Sequence, residues 1–458
     1  MKKLICLLLL LAMTLPLASC GLMGAANAPT INGVKITEYS IVYDAEGLDY
    51  NKRAAEYIRD TIKQRSRVTL PIIDDGEAQG DYEIVVGETS RPISAELNED
   101  TEGLEFSMLA KGGSVALEGD YFIIAAAAFY FMETYVLESG YAATIEDGTL
   151  VRAPILKEAK NFILLIGDGM GVYQTQMFEH IENNVEYGDG EDIFYGYLLP
   201  YMGYSRTDSL TGTTDSAAGG TALSCGTKTY NKRIARDKDG KNLESMTELA
   251  HRLGKAAGVM STETKTGATP STFSAHADDR DDNAIIIGSQ AEAMLSRGLV
   301  IDCGYNYYTS KYMEVIERHI TDTLGKVSGD EDGFFLMYEE AYIDKHCDDM
   351  NMEKSFEAMV RFNQAIARFM EFAFYNPDTF ILITADHETG GLHLDENGNL
   401  AFETTEHTSA NVPIFAYGVD AELFDGKEVE NIQIAHTIAA LMGEENFGDQ
   451  SVYGSLTK

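Results

Sequence analysis

Acidic and imidazole side chains follow several apolar runs of this chain. Asp168 comes after the run 161–167, Glu339 after 333–338, and the adjacent pair Asp386 and His387 after 379–384, with Asp344 and His407 further along. One aspartate beyond a strand is most often a helix cap. Carboxylates and imidazoles gathered on one rim are different, because unpaired carboxylates held together repel one another and a divalent cation removes that repulsion. A second feature is residues 213–222, Thr-Thr-Asp-Ser-Ala-Ala-Gly-Gly-Thr-Ala, polar at the start and small throughout. It reads as a helix opening at Asp215 or Ser216. There the Ser216 hydroxyl would meet free backbone N–H groups and the positive end of the helix dipole, a setting that favours an alkoxide nucleophile and a bound phosphate. Taken alone, Asp215 and Ser216 read first as an ordinary N-cap.

The elements that must position these residues differ between two halves. In 157–458 the runs 161–167, 256–261, 333–338, 379–384 and 412–417 are continuously apolar and separated by helical segments. That pattern predicts a buried, mainly parallel α/β sheet sandwiched by helices, in which ligands bind beyond the carboxyl ends of the strands. Residues 31–156 form a smaller α/β domain, with strands expected at 36–43, 69–73, 82–87 and 114–117 and helices at 50–65 and 121–138. This half holds no Asp/His/Cys cluster. Pattern and the run Gly87-Glu88-Thr89-Ser90-Arg91 resemble the small domain that accompanies some secreted carbohydrate-active enzymes, which implies an accessory or spacer role.

The chain has 458 residues, 45% of them hydrophobic, enough for more than one core. Its net charge of −38 excludes nucleic-acid binding by phosphate neutralisation, so a site for an anion must be locally basic or metal-loaded. Residues 1–19, with Lys2 and Lys3 before an apolar stretch, read as a secretion signal too short to span a membrane. Leu17-Ala18-Ser19-Cys20 resembles the lipobox of bacterial lipoproteins, which implies lipidation of Cys20, a linker over 20–30, and anchoring to the outer face of the bacterial membrane. Cys225, Cys303 and Cys347 are too widely spaced for a disulfide framework or a zinc ribbon. The segment 220–228 fails the P-loop spacing, and no GxGxxG follows a strand, so a nucleotide cofactor is not indicated.

Six ordered motifs between Asn161 and about Gly418 carry a second resemblance: Gly167-Asp168-Gly169-Met170-Gly171, Asp215-Ser216-Ala217-Ala218, Ala268-Thr269-Pro270 with Arg280, Glu339 to Asp344, Thr384-Ala385-Asp386-His387, and His407-Thr408. Together they resemble the alkaline phosphatases. The resemblance implies that Ser216 is the nucleophile, phosphorylated in turnover, and that Arg280 clamps two phosphate oxygens. It implies one zinc on Asp168, Asp386 and His387, and a second on Asp344, His407 and a further ligand. A third ion, magnesium, is implied between Asp168, Thr269 and Glu339, an all-oxygen set suited to a hard cation. The expected activity is hydrolysis of small phosphate monoesters. A phosphodiesterase of the same superfamily and a degenerate, non-catalytic metal- or glycan-binding lipoprotein are the alternatives.

The chain departs from that pattern at named positions. Where the family places a histidine four residues after Asp344, this sequence has Asp348. Either Asp348 ligates, which its position favours, or His346 swings in, or the site is weakened. A carboxylate there would tilt the site toward manganese or magnesium. Gly267 stands where the family carries an aspartate or histidine, so the third site is expected to be looser. Lys345 matches a lysine of some bacterial members and, with Asp215, is a candidate for substrate binding; its alternative is a solvent-facing charge. Cys347 reads as a buried thiol and His276 as packing. The short spans from Arg280 to Glu339 and from His387 to His407 leave little room for the insertion many members use at a dimer interface, so a homodimer stays an open expectation.

Overall fold

The computed structural model describes residues 30–45, 49–97, 105–119, 123–137, 142–154, 158–181, 194–304, 312–376 and 378–457. The expected signal segment 1–19 and Cys20 lie outside the described residues. The chain divides between residues 155 and 156 into two compact units.

The first unit carries a six-stranded sheet of β1 (Ser40–Tyr43), β2 (Ile72–Asp74), β3 (Glu83–Val86), β4 (Glu105–Lys111), β5 (Ser114–Glu118) and β6 (Thr149–Pro154), in the order β2-β1-β3-β5-β4-β6. Its longer helices are α1 (Asp49–Ser66) and α2 (Ile123–Phe131), the latter prolonged by a wider turn over Met132–Leu137, and a short helix spans Pro92–Leu97. Two expected strands shorten: residues 36–38 form a 3-10 turn, and β2 begins only after Pro71, whose carbonyl accepts from Ile41 N at 2.9 Å. A proline lacks the N–H that a ladder needs. β4 and β6 escaped the sequence reading. In β4, Met108, Leu109 and Ala110 are all buried, so the strand shows no alternation and is built partly of good helix formers. Arg91, at the end of the 87–91 run, is held by Glu83 at 2.9 Å, both buried.

The second unit is built on eight strands: β7 (Asn161–Gly167), β8 (Tyr201–Arg206), β9 (Ala256–Ser261), β10 (Val300–Cys303), β11 (Phe334–Glu340), β12 (Thr379–Thr384), β13 (Val412–Tyr417) and β14 (Glu428–Glu430), in the order β10-β9-β11-β7-β12-β13-β8-β14. The five from β10 to β12 are mutually parallel. β13 pairs antiparallel with both β12 and β8, so one strand runs against the rest. An apolar run covered on both faces carries no sign of its direction, which is why the sequence did not disclose this reversal. Nor did it disclose β8, β10 and β14, at or near the edges.

Helices cover both faces. Alternate residues Phe162, Leu164, Ile166, Phe335, Met337, Phe380 and Leu382 join Met246, Leu249, Ile434 and Ile438 in one core, the last two from α9 (Asn431–Leu441). On the opposite face Tyr338 stacks on Phe362 and meets Phe369 edge-on, both from α8 (Met352–Tyr375). The remaining helices used below are α3 (Ser216–Cys225), α4 (Ala268–Thr272), α5 (Asn283–Arg297), α6 (Tyr312–Val327) and α7 (Tyr342–Asp348).

Candidate metal centre

Register brings the acidic residues to one rim. Ile166 on β7 lies beside Glu339 on β11 and Thr384 on β12, and Glu339 lies beside Ser261 on β9. Asp168, Glu339 and the pair Asp386 and His387 therefore leave the sheet at its carboxyl edge, where their adjacent strands end. Gly169 follows with a φ of +75°, and a Cβ there would meet Asp344 Cα at 2.9 Å and Thr389 Oγ1 at 2.8 Å. Only glycine lets α7 come this close. The helix α3 opens as expected: Asp215 is its N-cap, its side chain accepting from Ala218 N at 2.9 Å, and Ser216 is the first helical residue.

Two groups of potential ligand atoms meet at His387. In the first, Asp168, Asp386 and His387 are all buried, with Nε2 of His387 at 3.4 Å from Asp168 Oδ1 and 3.4 Å from Asp386 Oδ2. In the second, Asp344, His387 and His407 converge, with Nε2 of His407 at 3.4 Å from Asp344 Oδ1. The two imidazoles stack with centroids 3.6 Å apart. Ser216 Oγ lies 3.3 Å from His387 Nε2, at the junction of both groups. Hydrogen bonds fix both rings. His407 Nδ1 donates to the Thr214 carbonyl at 2.9 Å, leaving Nε2 with its lone pair. Thr389 Oγ1 donates its one proton to Asp344 Oδ1 at 2.5 Å and so accepts from His387 Nδ1 at 3.2 Å, which again leaves Nε2 as the lone-pair nitrogen. This is the tautomer a cation requires, and outer hydrogen bonds of this kind orient ligating histidines.

The electrostatics carry the same message. Burial, and then the charges of Asp386, Asp344 and Glu339, hold the Asp168 carboxyl well above the usual range. Burial and Asp344 push Asp386 up to about 7, and burial and Glu263 push Glu339 up to about 8. His387 is held neutral by burial and by the neighbouring His407. Without a cation these carboxylates must take up protons or repel. Among the buried oxygens of the described residues that have no hydrogen-bond partner, four lie on this rim: Asp168 Oδ1, Asp386 Oδ2, Glu339 Oε1 and Thr269 Oγ1. Buried polar atoms are normally satisfied, so these suit cations: mixed nitrogen and oxygen donors stand around His387 and His407, and oxygen donors alone at Asp168, Thr269 and Glu339.

Other expected residues fall as follows. Arg280 Nη1 donates to Asp215 Oδ2 at 3.4 Å, and the same oxygen accepts from Lys232 N at 2.9 Å, so both Asp215 oxygens are engaged in capping α3 and aiming the guanidinium. Lys345 pairs with Glu263 and lies over the Tyr342 ring. On α7, Asp348 is four residues beyond Asp344 and shares its face, and burial together with the Asp344 charge pushes it up to about 6 while His407 opposes that shift. His346, two residues on, is turned away: its ring rests near Tyr342 and its charged neighbours are Arg361, Lys354, Asp349 and Lys345. Cys347 is buried against Ser355 and Gln174 and, like Asp348 and His346, is absent from both ligand groups. His276 bonds the Leu243 carbonyl at 2.8 Å in a packing role. The sequence reading passed over Thr389 and Glu263. Glu263 lies two residues past the end of β9, so the rule that picked out Asp168 after β7 would have found it; Thr389 carried no signal beyond standing two residues from His387.

A family model described as Alkaline phosphatase matches residues 159–300 and 309–402. Among curated proteins, Alkaline phosphatase 3 of Bacillus subtilis is 30% identical over 294 residues, spanning 53% of this chain and 63% of the relative. Alkaline phosphatase 4 of the same organism is 27% identical over 342 residues, 63% of this chain and 74% of the relative. Among solved structures, alkaline phosphatase from the Antarctic bacterium TAB5 superposes with a TM-score of 0.56 at 26% identity, covering 62% of this chain and 99% of that one. A histidine-to-aspartate variant of that enzyme, with Mg bound in its M3 site, superposes with a TM-score of 0.53 at 26% identity over 63% of this chain and 99% of that one.

Proposed function

We propose that this chain, which belongs to the alkaline phosphatase family, hydrolyses phosphate monoesters through a phosphoserine formed at Ser216. The observation that carries this reading is the place of the Ser216 hydroxyl, at a helix N-terminus and 3.3 Å from the imidazole shared by the two ligand groups.

The residues fit two zinc ions, one held by Asp168, Asp386 and His387 and the other by Asp344, His407 and Asp348, and a magnesium ion among Asp168, Thr269 and Glu339. Bound there, the cations supply charge neutralisation and Lewis-acid polarisation of phosphoryl oxygens. The chain's own groups do the rest. Arg280, aimed by Asp215, binds two equatorial phosphate oxygens with paired N–H donors. The positive end of α3 faces the same charge. Ser216 Oγ gives up its proton to water as it attacks phosphorus, the bond from phosphorus to the ester oxygen breaks, and the alcohol takes that proton back from water as it leaves. In the second half water attacks the phosphoserine, its P–O bond to Ser216 breaks, one proton of the attacking water returns through solvent to Ser216 Oγ, and phosphate departs with the other. Two in-line displacements give net retention at phosphorus. Arg280 favours a monoester over a diester, because the extra negative charge of the monoester engages the clamp.

Lys2, Lys3, the apolar leader and Leu17-Ala18-Ser19-Cys20 support export and lipid anchoring at Cys20, with the catalytic unit at the bacterial cell surface. No described helix is long and apolar enough to cross a membrane.

The test is phosphate release from an aryl monoester and an aryl diester by the zinc- and magnesium-loaded protein. Monoester turnover that falls at least about ten-thousandfold in Ser216→Ala is expected. Preferred diester turnover, or no turnover with zinc, manganese or magnesium, would contradict it.

A further inference from the structure

Gly267 is an ordinary position by backbone standards: it precedes α4 with φ of −54° and ψ of 152°, a conformation open to any residue. Space, not conformation, is what a side chain here would contest. A Cβ on residue 267 would lie 2.3 Å from Glu263 Oε2, 2.8 Å from its Cδ and 2.9 Å from its Cγ. The Glu263 carboxylate therefore occupies the volume that a side chain at 267 would need, two residues before the unpartnered, fully buried Thr269 hydroxyl. The neighbouring contacts keep it there. Glu263 N bonds Ser261 Oγ at 2.9 Å, and that hydroxyl donates onward to Glu339 Oε2, so one serine ties Glu263 and Glu339 to the same wall. The other Glu263 oxygen, Oε1, is taken by Lys345, leaving Oε2 over Gly267.

We propose that Glu263 is a further ligand side chain of the magnesium site, its Oε2 reaching across the bare face of Gly267 to join Thr269 Oγ1, Glu339 Oε1 and Asp168. This rests on the three-cation reading above. The carboxylate missing from residue 267 is supplied from four positions earlier in the chain, and the site takes a hard divalent cation more firmly than Gly267 alone would suggest. Lys345 offsets one of the three negative charges, leaving the site two short of neutrality and matched to a divalent ion.

The full chain, stripped with a chelator and reloaded with zinc, is titrated with Mg²⁺ by calorimetry, and bound magnesium is counted by elemental analysis. Glu263→Gln keeps the shape and is expected to weaken Mg²⁺ binding about 10- to 100-fold. Lys345→Met keeps Mg²⁺ binding at least as tight as the parent, whereas a carboxylate that served only to hold Lys345 would make the two variants behave alike. The double change Glu263→Ala with Gly267→Asp moves the carboxylate to residue 267 and restores binding to within about tenfold of the parent. Parent-like Mg²⁺ binding by Glu263→Gln overturns the proposal, as does a parent chain that binds no cation beyond zinc. Neither result touches the phosphatase reading, which is read separately from Ser216-dependent phosphate release by the same zinc-loaded preparations.

Discussion

Asp344 and Asp348 stand one helical turn apart on α7, whereas the two-residue step to His346 rotates its side chain by about 200° to the far face. Helix geometry thus puts Asp348, and not His346, on the face of α7 that carries Asp344. Asp348→Ala is expected to lower zinc occupancy at the Asp344 and His407 site by more than about tenfold, with His346→Ala leaving it unchanged. Elemental analysis after dialysis checks this, and loss of metal in the histidine variant alone would reverse the assignment. Thr389 acts on the same ligands from outside. Its hydroxyl bridges Asp344 and His387, so Thr389→Val removes the acceptor that fixes the imidazole and should weaken zinc binding about 10- to 100-fold with the fold intact. Unaltered zinc affinity in that variant would deny the bridge any part in holding the ring.

At the scale of elements, the site depends on how closely α3 approaches the end of β12. A Cβ on Gly219 would meet the Asp386 carbonyl at 2.8 Å and Asp386 Cβ at 3.1 Å, so the first turn of α3 lies directly against the strand exit. Gly219→Ala should push Ser216 away from His387 and destabilise the chain by about 1–3 kcal/mol through overpacking. Gly325, with open space around its Cβ in α6, should accept alanine and gain up to about 1 kcal/mol. Thermal melts and phosphate release distinguish the two, and a Gly219→Ala chain with parent turnover would show that this approach does not set the nucleophile. The same elements explain what was legible in the sequence. The runs ending at Gly167 and Thr384 were readable because buried parallel strands are continuously apolar, and their chemistry-bearing residues followed at once. The helix at Ser216 was readable from its cap and small residues. The reversal of β13 was not, since direction leaves no mark on a strand buried on both faces. The tie between Glu263 and Gly267 was hidden because it depends on two segments closing around a space, which no residue type announces.

For the molecule as a whole, the crowded carboxylates make stability depend on cations. The folded-state values of Asp386 and Glu339 are raised to about 7 and about 8, above those of an unfolded chain. Their contribution is therefore fully present below the ordinary carboxylate range and is lost as pH rises through about 7 and 8. In chelator, the melting temperature should fall on going from pH 5 to pH 9, and the gap between chelated and metal-loaded protein should widen over the same interval, because bound cations stabilise the ionised carboxylates. Parallel profiles would mean that these groups do not crowd one another. The acidic surface, at a net charge of −38, adds self-repulsion to both forms and cancels in the difference. Everything proposed for the molecule converges on one atom, Ser216 Oγ. The most direct measurement is rapid acid quench of the metal-loaded protein with a phosphate monoester, followed by mass spectrometry of the peptide carrying Ser216. The account predicts one added phosphoryl group on Ser216 and none in Ser216→Ala. Turnover with no phosphorylated Ser216, or phosphorylation elsewhere in the chain, would contradict it.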